Sequence, residues 1–251
     1  MANLTESEAS QRRATAGGPG NAPNYHILLG GSIMLVSALC FLALAYIAHN
    51  VTLFSFDIPV TQALRQFNPP WFDLLMNAVN WLGTGSEAVA FVFAVVIIMF
   101  LAGWRWAAVV CAVDAAGIWV LNILIGIVVN RPPLPQAELS QLFSGLTQPM
   151  TLPSFPSGHV TSFIGIYGFV CYLVYTRVKQ PWLRIPLLIF FGALVLLIGP
   201  SRPYMMRHWP SDVLASLFLG TIWLILTLYV YLWGKGRFVR HHASSRPVPG
   251  A

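Results

Sequence analysis

Six stretches of the chain consist almost entirely of apolar residues, and polar or charged residues separate them. They cover residues 27–48, 87–103, 106–129, 158–176, 185–200 and 212–233. A helix needs about 20 mainly apolar residues to cross the hydrocarbon core of a bilayer, and the fifth stretch can extend into its flanks. The pattern therefore predicts an all-α, polytopic membrane protein with six transmembrane helices.

A shorter segment between the first two stretches has a different pattern. In PPWFDLLMNAVNWLG, residues 69–83, the apolar side chains recur at helical spacing, whereas Asp73, Asn77 and Asn80 share the opposite face. The two prolines suit the start of a helix. The segment is too short and too two-faced to span a bilayer, so it predicts a short amphipathic helix at the membrane interface.

The composition agrees with a membrane protein. Of the 251 residues, 57% are hydrophobic and only 9% are charged, and the mean hydropathy is +0.69. In soluble domains about a quarter of the residues are charged, so this composition argues against a soluble protein. The net charge is +6, but the basic residues are scattered singly and form no stripe that would bind a nucleic acid.

The distribution of basic residues predicts the orientation in the membrane. Six spans place both termini on the same side, and basic residues accumulate on the cytoplasmic side of membrane proteins. With cytoplasmic termini, ten basic residues lie inside: Arg12, Arg13, Arg105, Arg177, Lys179, Arg184, Lys235, Arg237, Arg240 and Arg246. Four lie outside: Arg65, Arg131, Arg202 and Arg207. We therefore predict a multi-pass protein of the cell membrane.

The same orientation divides the chain into three parts. Residues 1–24 are polar and rich in Gly, Ala and Pro, which predicts a disordered cytoplasmic tail. Residues 25–233 form the six-span domain. Residues 234–251 form a basic cytoplasmic tail.

Three polar stretches share the outer face in this topology. They are VVNRPP at 128–133, SFPSGHV at 154–160 and SRPYMMRHWPSD at 201–212. Polar residues at the ends of membrane spans are costly, which makes them candidates for a functional site.

The residue types in these stretches suit phosphate chemistry. Arginine side chains form bidentate hydrogen bonds to phosphate oxygens. His159 and His208 can supply a nucleophile and a general acid at neutral pH, and Asp212 can orient the imidazole of His208. The amides around Gly158 would open the fourth span, where the N-terminus of a helix favours an anion.

These residues resemble the motifs of the type 2 phosphatidic acid phosphatase superfamily, whose fold is shared with vanadium haloperoxidases. The family has three motifs: Lys-x6-Arg-Pro, Pro-Ser-Gly-His and Ser-Arg-x5-His-x3-Asp. Residues 156–159 match the second motif in full, and Ser201, Arg202, His208 and Asp212 match the third at the required spacing. The resemblance extends over roughly residues 50–233 and makes the six-span domain lipid phosphatase-like.

The resemblance also implies a mechanism and a site. His208 would attack phosphorus to give a phosphohistidine, Asp212 would hold its other ring nitrogen, and His159 would act as acid and then as base. The implied phosphate-binding residues are Arg131, Ser157, Gly158, Ser201 and Arg202. We expect no metal and no other cofactor, because no cluster of carboxylates offers a magnesium site.

The first motif is incomplete in this chain. If Arg131-Pro132 ends the motif, its lysine position holds Leu124, and in an alternative register that position is Gly126. The chain has two lysines, Lys179 and Lys235, and the topology assigns both to the cytoplasmic side. One positive contact to the phosphate is therefore missing or is supplied by another residue such as Arg207.

The sequence thus predicts a membrane phosphatase that acts on a lipid phosphate or lipid pyrophosphate and that has membrane lipids but no nucleic acid as partners. Undecaprenyl pyrophosphate, phosphatidic acid and phosphatidylglycerol phosphate are the candidate substrates. Two alternatives stay open: a non-catalytic protein that binds or translocates lipids, and a lipid phosphotransferase. The sequence does not determine the oligomeric state.

Overall fold

The computed structural model describes residues 25–132 and 155–244, with side chains for residues 28–132 and 155–236. The predicted tail at 1–24 lies outside these residues. So does most of the connection between the third and fourth predicted spans.

Eight helices make up the described part of the chain. They are α1 (Tyr25–Asn50), α2 (Asp57–Gln66), α3 (Pro70–Leu82), α4 (Gly85–Leu101), α5 (Arg105–Val129), α6 (Gly158–Arg177), α7 (Pro181–Tyr204) and α8 (Pro210–Ser244). The six predicted spans coincide with α1, α4, α5, α6, α7 and α8. The all-α, polytopic fold is therefore confirmed.

Five of these helices are long and apolar enough to cross a membrane by themselves, namely α1, α5, α6, α7 and α8. A sixth span is possible if α3 and α4 are counted as one element, and these two helices meet at an angle of 70°. Gly85 lies in this bend at a φ of +62°, a backbone conformation that glycine adopts without steric cost. The bend separates the apolar α4 from the shorter, two-faced α3.

The helix α6 lies at the centre of the bundle. Over 18 residues of each long helix, 61% of α6 is buried, against 17% to 28% of the other four. Residues Phe163–Tyr167 of α6 form a turn of π-helix, a feature that often occurs close to functional sites. At Gly165 an added Cβ would lie 2.5 Å from Ile118 Cδ1, so the small residue permits close packing of α5 against α6.

The outer surfaces of the long helices expose large apolar side chains, as expected of surfaces that face lipid. Examples are Leu35, Leu101, Val128, Trp182 and Leu196, each with more than half of its surface exposed. The buried residues, by contrast, include a set of charged and polar side chains near one end of the bundle.

Two features of the fold differ from the sequence pattern. The helix α2 was not predicted, because its ten residues, DIPVTQALRQ, contain too few apolar positions to show a period. Its buried members, Asp57 and Thr61, are polar. The helix α8 continues to Ser244, so the first part of the predicted C-terminal tail is helical.

Candidate active site

Four helix ends meet at one end of the bundle. The helices α5 and α7 end there, and α6 and α8 begin there, as expected from the order of the spans. The helix ends surround a pocket of about 510 Å³. Its polar lining residues are Asn80, Thr84, Asn122, His159, Arg202, Arg207 and His208.

His208 lies in the loop between α7 and α8, and Asp212 lies in the first turn of α8. Nδ1 of His208 is 3.8 Å from Oδ2 of Asp212, whose side chain is fully buried. The same Oδ2 accepts a hydrogen bond from the N–H of Trp209 at 3.1 Å. The carboxylate therefore faces one ring nitrogen of His208, and Nε2 is the nitrogen on the far side of the ring.

His159 lies in the first turn of α6 and faces His208 across the pocket. The centroids of the two imidazole rings are 6.0 Å apart. Two side chains that each approach one bound group to about 3 Å are separated by about this distance. Both imidazoles can therefore contact the same phosphoryl group.

Arg202 lies in the last turn of α7 with 1% of its surface exposed. Its NH1 donates a hydrogen bond to Oδ1 of Asn80, a residue of α3. Among the described residues, Nε of Arg202 has no hydrogen-bond partner. A buried guanidinium with an unsatisfied donor is costly, and an anion in the adjoining pocket would satisfy it.

The backbone at the start of α6 lines one side of the pocket. Gly158 lines the pocket, and an added Cβ at this position would meet the side chain of Asn122 at 3.6 Å. Ser157 precedes it and is fully buried, and its Oγ has no partner in the part of the chain that is described. The first amides of a helix are unsatisfied donors that favour an anion.

Arg131, which we expected to bind phosphate, lies elsewhere. Its Nε and NH2 donate to the carbonyl oxygen of Thr52 at 3.2 and 2.9 Å, and NH2 also donates to Oδ2 of Asp57 at 2.8 Å. Its NH1 donates to Oγ of Ser211 at 2.9 Å and to Oδ1 of Asp212. All five N–H donors are thus engaged by protein acceptors, and none is left for a phosphate in this conformation.

Ser201 also differs from the expectation. Its side chain is fully buried, and its hydroxyl donates to the carbonyl oxygen of Ile198 at 2.9 Å within α7. Ser201 therefore stabilises the last turn of the helix that carries Arg202, and its hydroxyl hydrogen is engaged within that helix.

The two alternative positions of the missing lysine have different surroundings. Leu124 is 55% exposed on the outer surface of α5, whereas Gly126 lines the pocket. The side chain of a lysine at position 126 would extend from the wall of the pocket, and that of a lysine at position 124 would extend from the outer surface of the bundle.

An apolar groove of about 470 Å³ continues from the pocket between α4, α5 and α6. The pocket and the groove share the side chains of Trp119, Asn122 and His159 and the backbone of Gly158. The rest of the groove is lined mainly by apolar residues of the spans, including Val92, Phe93, Val96, Ala115, Phe163 and Ile166. An apolar chain in this groove would have its polar end at His159.

Two residues that contact the arginines of the site region were not predicted from the sequence to belong to it. Asp57 contacts Arg131 and lies in a helix that has no clear pattern. Asn80 was assigned to the polar face of an interfacial helix, but its side chain contacts Arg202. Its helical spacing indicated the polar face correctly, and the partner on α7 lies 122 residues away in the sequence.

The intramembrane acid Asp114 is separate from the pocket. Its Oδ1 accepts hydrogen bonds from Nε1 of Trp223 at 2.7 Å and from the hydroxyl of Thr227, both on α8. It thus connects α5 to α8 inside the bundle, as polar residues often do between membrane helices.

Within the described ranges, no group of three or more His, Cys, Asp or Glu side chains is placed to hold a metal ion. The expectation of metal-independent chemistry stays a prediction.

Part of the chain matches a known family. A family model described as the PAP2 superfamily matches residues 115–235, a range that contains His159, Arg202, His208 and Asp212. Among characterised proteins, phosphatidylglycerophosphatase B of Bacillus subtilis is 25% identical over 191 residues, which cover 75% of this chain and 89% of the relative.

Two crystal structures share the fold. The first is a transmembrane PAP2-type phosphatidylglycerolphosphate phosphatase of Bacillus subtilis, with a TM-score of 0.64 at 24% identity. That match covers 78% of this chain and 94% of the other. The second is LpxE of Aquifex aeolicus, with a TM-score of 0.50 at 20% identity, covering 71% of this chain and 98% of the other.

Proposed function

We propose that the chain is a member of the PAP2 superfamily, whose model matches residues 115–235, and that it hydrolyses a lipid phosphate or lipid pyrophosphate in the membrane. The observation that carries the proposal is that a polar pocket and an apolar groove adjoin. A polar pocket contains two facing histidines, and an apolar groove between the spans opens into that pocket beside His159.

In the first step of the proposed reaction, Nε2 of His208 attacks phosphorus. The bond from phosphorus to the leaving oxygen breaks, and its electron pair goes to that oxygen, which takes a proton from His159. Asp212 faces Nδ1 of His208 and stabilises the positive charge that the ring acquires. The product is a phosphohistidine and the dephosphorylated lipid, or the lipid monophosphate if the substrate was a pyrophosphate.

In the second step His159, now neutral, takes a proton from a water molecule. The water oxygen attacks phosphorus, the nitrogen–phosphorus bond breaks, and its electron pair returns to Nε2 of His208. Inorganic phosphate leaves the pocket. One histidine therefore acts first as a general acid and then as a general base.

Positive charge and backbone amides hold the phosphoryl oxygens in both steps. Arg202 is buried beside the pocket, Arg207 lines it, and the amides at Gly158 open α6. Donors fixed in advance stabilise the charge that develops in the transition state and need no rearrangement. The hydrogen bond from Arg202 to Asn80 fixes one end of the guanidinium. We therefore propose catalysis without a metal.

The groove supports a lipid as the substrate class. Its lining is apolar over most of its length, and it runs along three helices that are predicted to cross the bilayer. Burying an apolar chain there stabilises the complex by about 0.8 kcal/mol per methylene. A lipid whose chain lies in the groove would bring its phosphate to the histidines.

The apolar lining is compatible with several lipids. Phosphatidylglycerol phosphate is favoured by the name of the Bacillus relative, and phosphatidic acid and undecaprenyl pyrophosphate carry the same two chemical parts. All three combine a long apolar chain with a phosphate that a histidine can attack.

A phosphate-release assay tests the proposal. The protein is purified in detergent with EDTA present and is offered the three lipids in turn, and each is also given to His208→Ala. We expect release from at least one lipid by the wild type, and background release by the variant. Equal release by the two proteins would refute the mechanism, and binding of the lipid without release would favour the non-catalytic alternative.

A product analysis separates hydrolysis from phosphoryl transfer. The assay is repeated with a labelled phosphate group and with added lipid alcohols or sugars as acceptors. Label in inorganic phosphate supports hydrolysis, and label that appears chiefly in an acceptor supports a phosphotransferase.

We also propose that the pocket opens on the extracytoplasmic face. Arg105 and Arg177 lie at the opposite end of the bundle from the pocket, in line with the excess of basic residues predicted for the cytoplasmic side. Two exposed loop residues provide a matched test in intact cells. Asn68→Cys should react with an impermeant maleimide, and Gln180→Cys should react only after lysis. The reverse result would invert the topology.

A further inference from the structure

A buried ion cluster lies beside the pocket, where the start of α2, the end of α5 and the start of α8 meet. It contains Asp57, Arg131, Ser211 and Asp212. The side chains of the two aspartates are fully buried, and that of Arg131 is 1% exposed. Such a cluster is costly to desolvate unless its hydrogen bonds are well satisfied, so its contacts show what it holds in place.

The carboxylate of Asp57 is satisfied on both oxygens. Oδ1 accepts the backbone N–H of Ser211 at 2.9 Å. Oδ2 accepts NH2 of Arg131 at 2.8 Å, the hydroxyl of Ser211 at 2.8 Å and the N–H of Phe54 at 3.0 Å. Asp57 therefore binds the first turn of α8 directly at Ser211 and also through Arg131.

Asp212 is held by the same cluster and is also the partner of the proposed nucleophile. Its Oδ1 accepts a hydrogen bond from Arg131, while its Oδ2 accepts the N–H of Trp209 and faces Nδ1 of His208. Each oxygen thus has its own partners, so the plane of the carboxylate is fixed. A shift of Arg131 would rotate that plane away from the imidazole.

We infer that Asp57 is a positioning residue that acts through Arg131 on Asp212 and thereby orients His208, an inference that rests on the proposed function. Arg131 is then a structural partner of the nucleophile's carboxylate and not a ligand of the phosphate. This explains why all of its donors are directed to the protein.

The charge of the cluster supports the same role. Two carboxylates and one guanidinium carry a net charge of about −1 beside His208 when both acids are ionised. Attack on phosphorus gives the imidazole ring positive charge, which this negative charge stabilises in a buried environment. Asp57→Asn would leave Arg131 with Asp212 as its single charged partner and would draw that carboxylate away from His208.

Asp57→Asn is the test variant, since it is nearly isosteric. We expect kcat for phosphate release from the lipid to fall between about tenfold and a hundredfold, the range typical of removing an outer partner of a functional side chain. KM and the Ki of inorganic phosphate should stay within about threefold, because Asp57 does not contact the phosphate. A phosphate ligand would show the opposite pattern, in which Ki rises.

A double variant tests whether Asp57 acts through Asp212. If it does, Asp57→Asn combined with Asp212→Asn should be no slower than Asp212→Asn alone, because the shared pathway is already broken. If the two losses multiply, the two residues act independently and the inference is wrong.

Two further variants control for folding. Asp73→Asn changes an exposed carboxylate on α3 that accepts the hydroxyl of Tyr204 at 3.0 Å, and it should behave as the wild type. Ser211→Ala removes a hydroxyl that joins Arg131 to Asp57 and takes over the test if Asp57→Asn does not fold. Thermal unfolding in detergent is measured for each variant.

The outcomes separate the two proposals. If the wild type releases no phosphate from any lipid, the proposed function fails, and the positioning role fails with it. If the wild type is active and the folded Asp57→Asn or Ser211→Ala variant keeps its kcat, the positioning role alone is refuted.

Discussion

The proposed binding of the lipid chain in the apolar groove can be tested by placing a larger side chain in the groove. Ala115 lies on α5 and lines the groove, about two helical turns before the shared residue Asn122. Ala115→Phe would place a ring in the space that we assign to the chain of the lipid. The pocket at the far end of the groove would keep its histidines.

The size of the effect follows from the space that is lost. The groove holds about 470 Å³. The added ring displaces about four methylenes of a bound chain, and each contributes about 0.8 kcal/mol, which gives a loss of about 3 kcal/mol. That loss corresponds to a decrease of about 150-fold in kcat/KM for a long-chain lipid phosphate.

The assay compares three substrates in detergent: a long-chain lipid phosphate, its dioctanoyl analogue and the chain-free ester para-nitrophenyl phosphate. We expect a large loss for the first, a smaller loss for the second and a change below about threefold for the third. Ala116→Phe is the matched control, because Ala116 is the next residue on α5, is exposed and is not among the residues that line the groove.

Two results would refute this reasoning. Equal losses on the long-chain and chain-free substrates would show that the ring disturbs the pocket. Unchanged kcat/KM on the long-chain lipid in the folded variant would show that the chain binds elsewhere.

Three further predictions follow from the geometry. His159→Ala should lower kcat by about a hundredfold or more, since it removes the proposed general acid, and normal turnover would contradict that role. Gly126→Lys should lower the Ki of inorganic phosphate, whereas Leu124→Lys should leave that Ki unchanged. The reason is that position 126 lines the pocket and position 124 faces outwards. A lower Ki for Leu124→Lys alone would favour position 124 as the lysine position of the first motif. Asp114→Ala should reduce the free energy of unfolding by about 1 to 3 kcal/mol, because Trp223 loses a buried acceptor, and should leave kcat within about twofold. Thermal unfolding in detergent measures the first effect, and phosphate release measures the second. A large loss of kcat without a loss of stability would assign Asp114 to the site.

The membrane helices could be predicted because their signal is local. Length and apolar composition decide whether a segment can span a bilayer, and both are read within about 20 residues. The predicted fifth stretch, 185–200, lies inside α7, which extends a further four residues at each end. By contrast, α2 is held by tertiary contacts of Asp57, and no local period identifies it.

The grouping of the candidate site residues could be predicted because their motifs combine residue type with spacing. The structure brings His159, Arg202, His208 and Asp212 together at one end of the bundle, with Gly158 at the start of α6. Spacing alone could not show what each side chain contacts across the bundle.

Arg131 illustrates this limit. Its position at the end of a span, as the arginine of a motif-like Arg-Pro, favoured phosphate as its partner. Its carboxylate partners, Asp57 and Asp212, are 74 and 81 residues away in the sequence. A guanidinium binds a carboxylate in much the same way as a phosphate, so residue type could not distinguish the two.

Because Arg131 is bonded to protein acceptors and the lysine of the first motif is absent, other residues must supply the positive charge that binds the phosphate. Among the residues that line the pocket, Arg202 and Arg207 carry permanent positive charge, and both come from the stretch that leads from α7 to His208. We expect recognition of the phosphate to depend on this stretch more than on α5. Met206 lies between these arginines at a φ of +54°, a conformation that is unfavourable for a side chain of its size and that persists only where surrounding contacts fix it. The loop that carries His208, the proposed nucleophile, thus also sets the spacing of the two arginines. We expect a change in its backbone to alter phosphate binding and nucleophilic attack together.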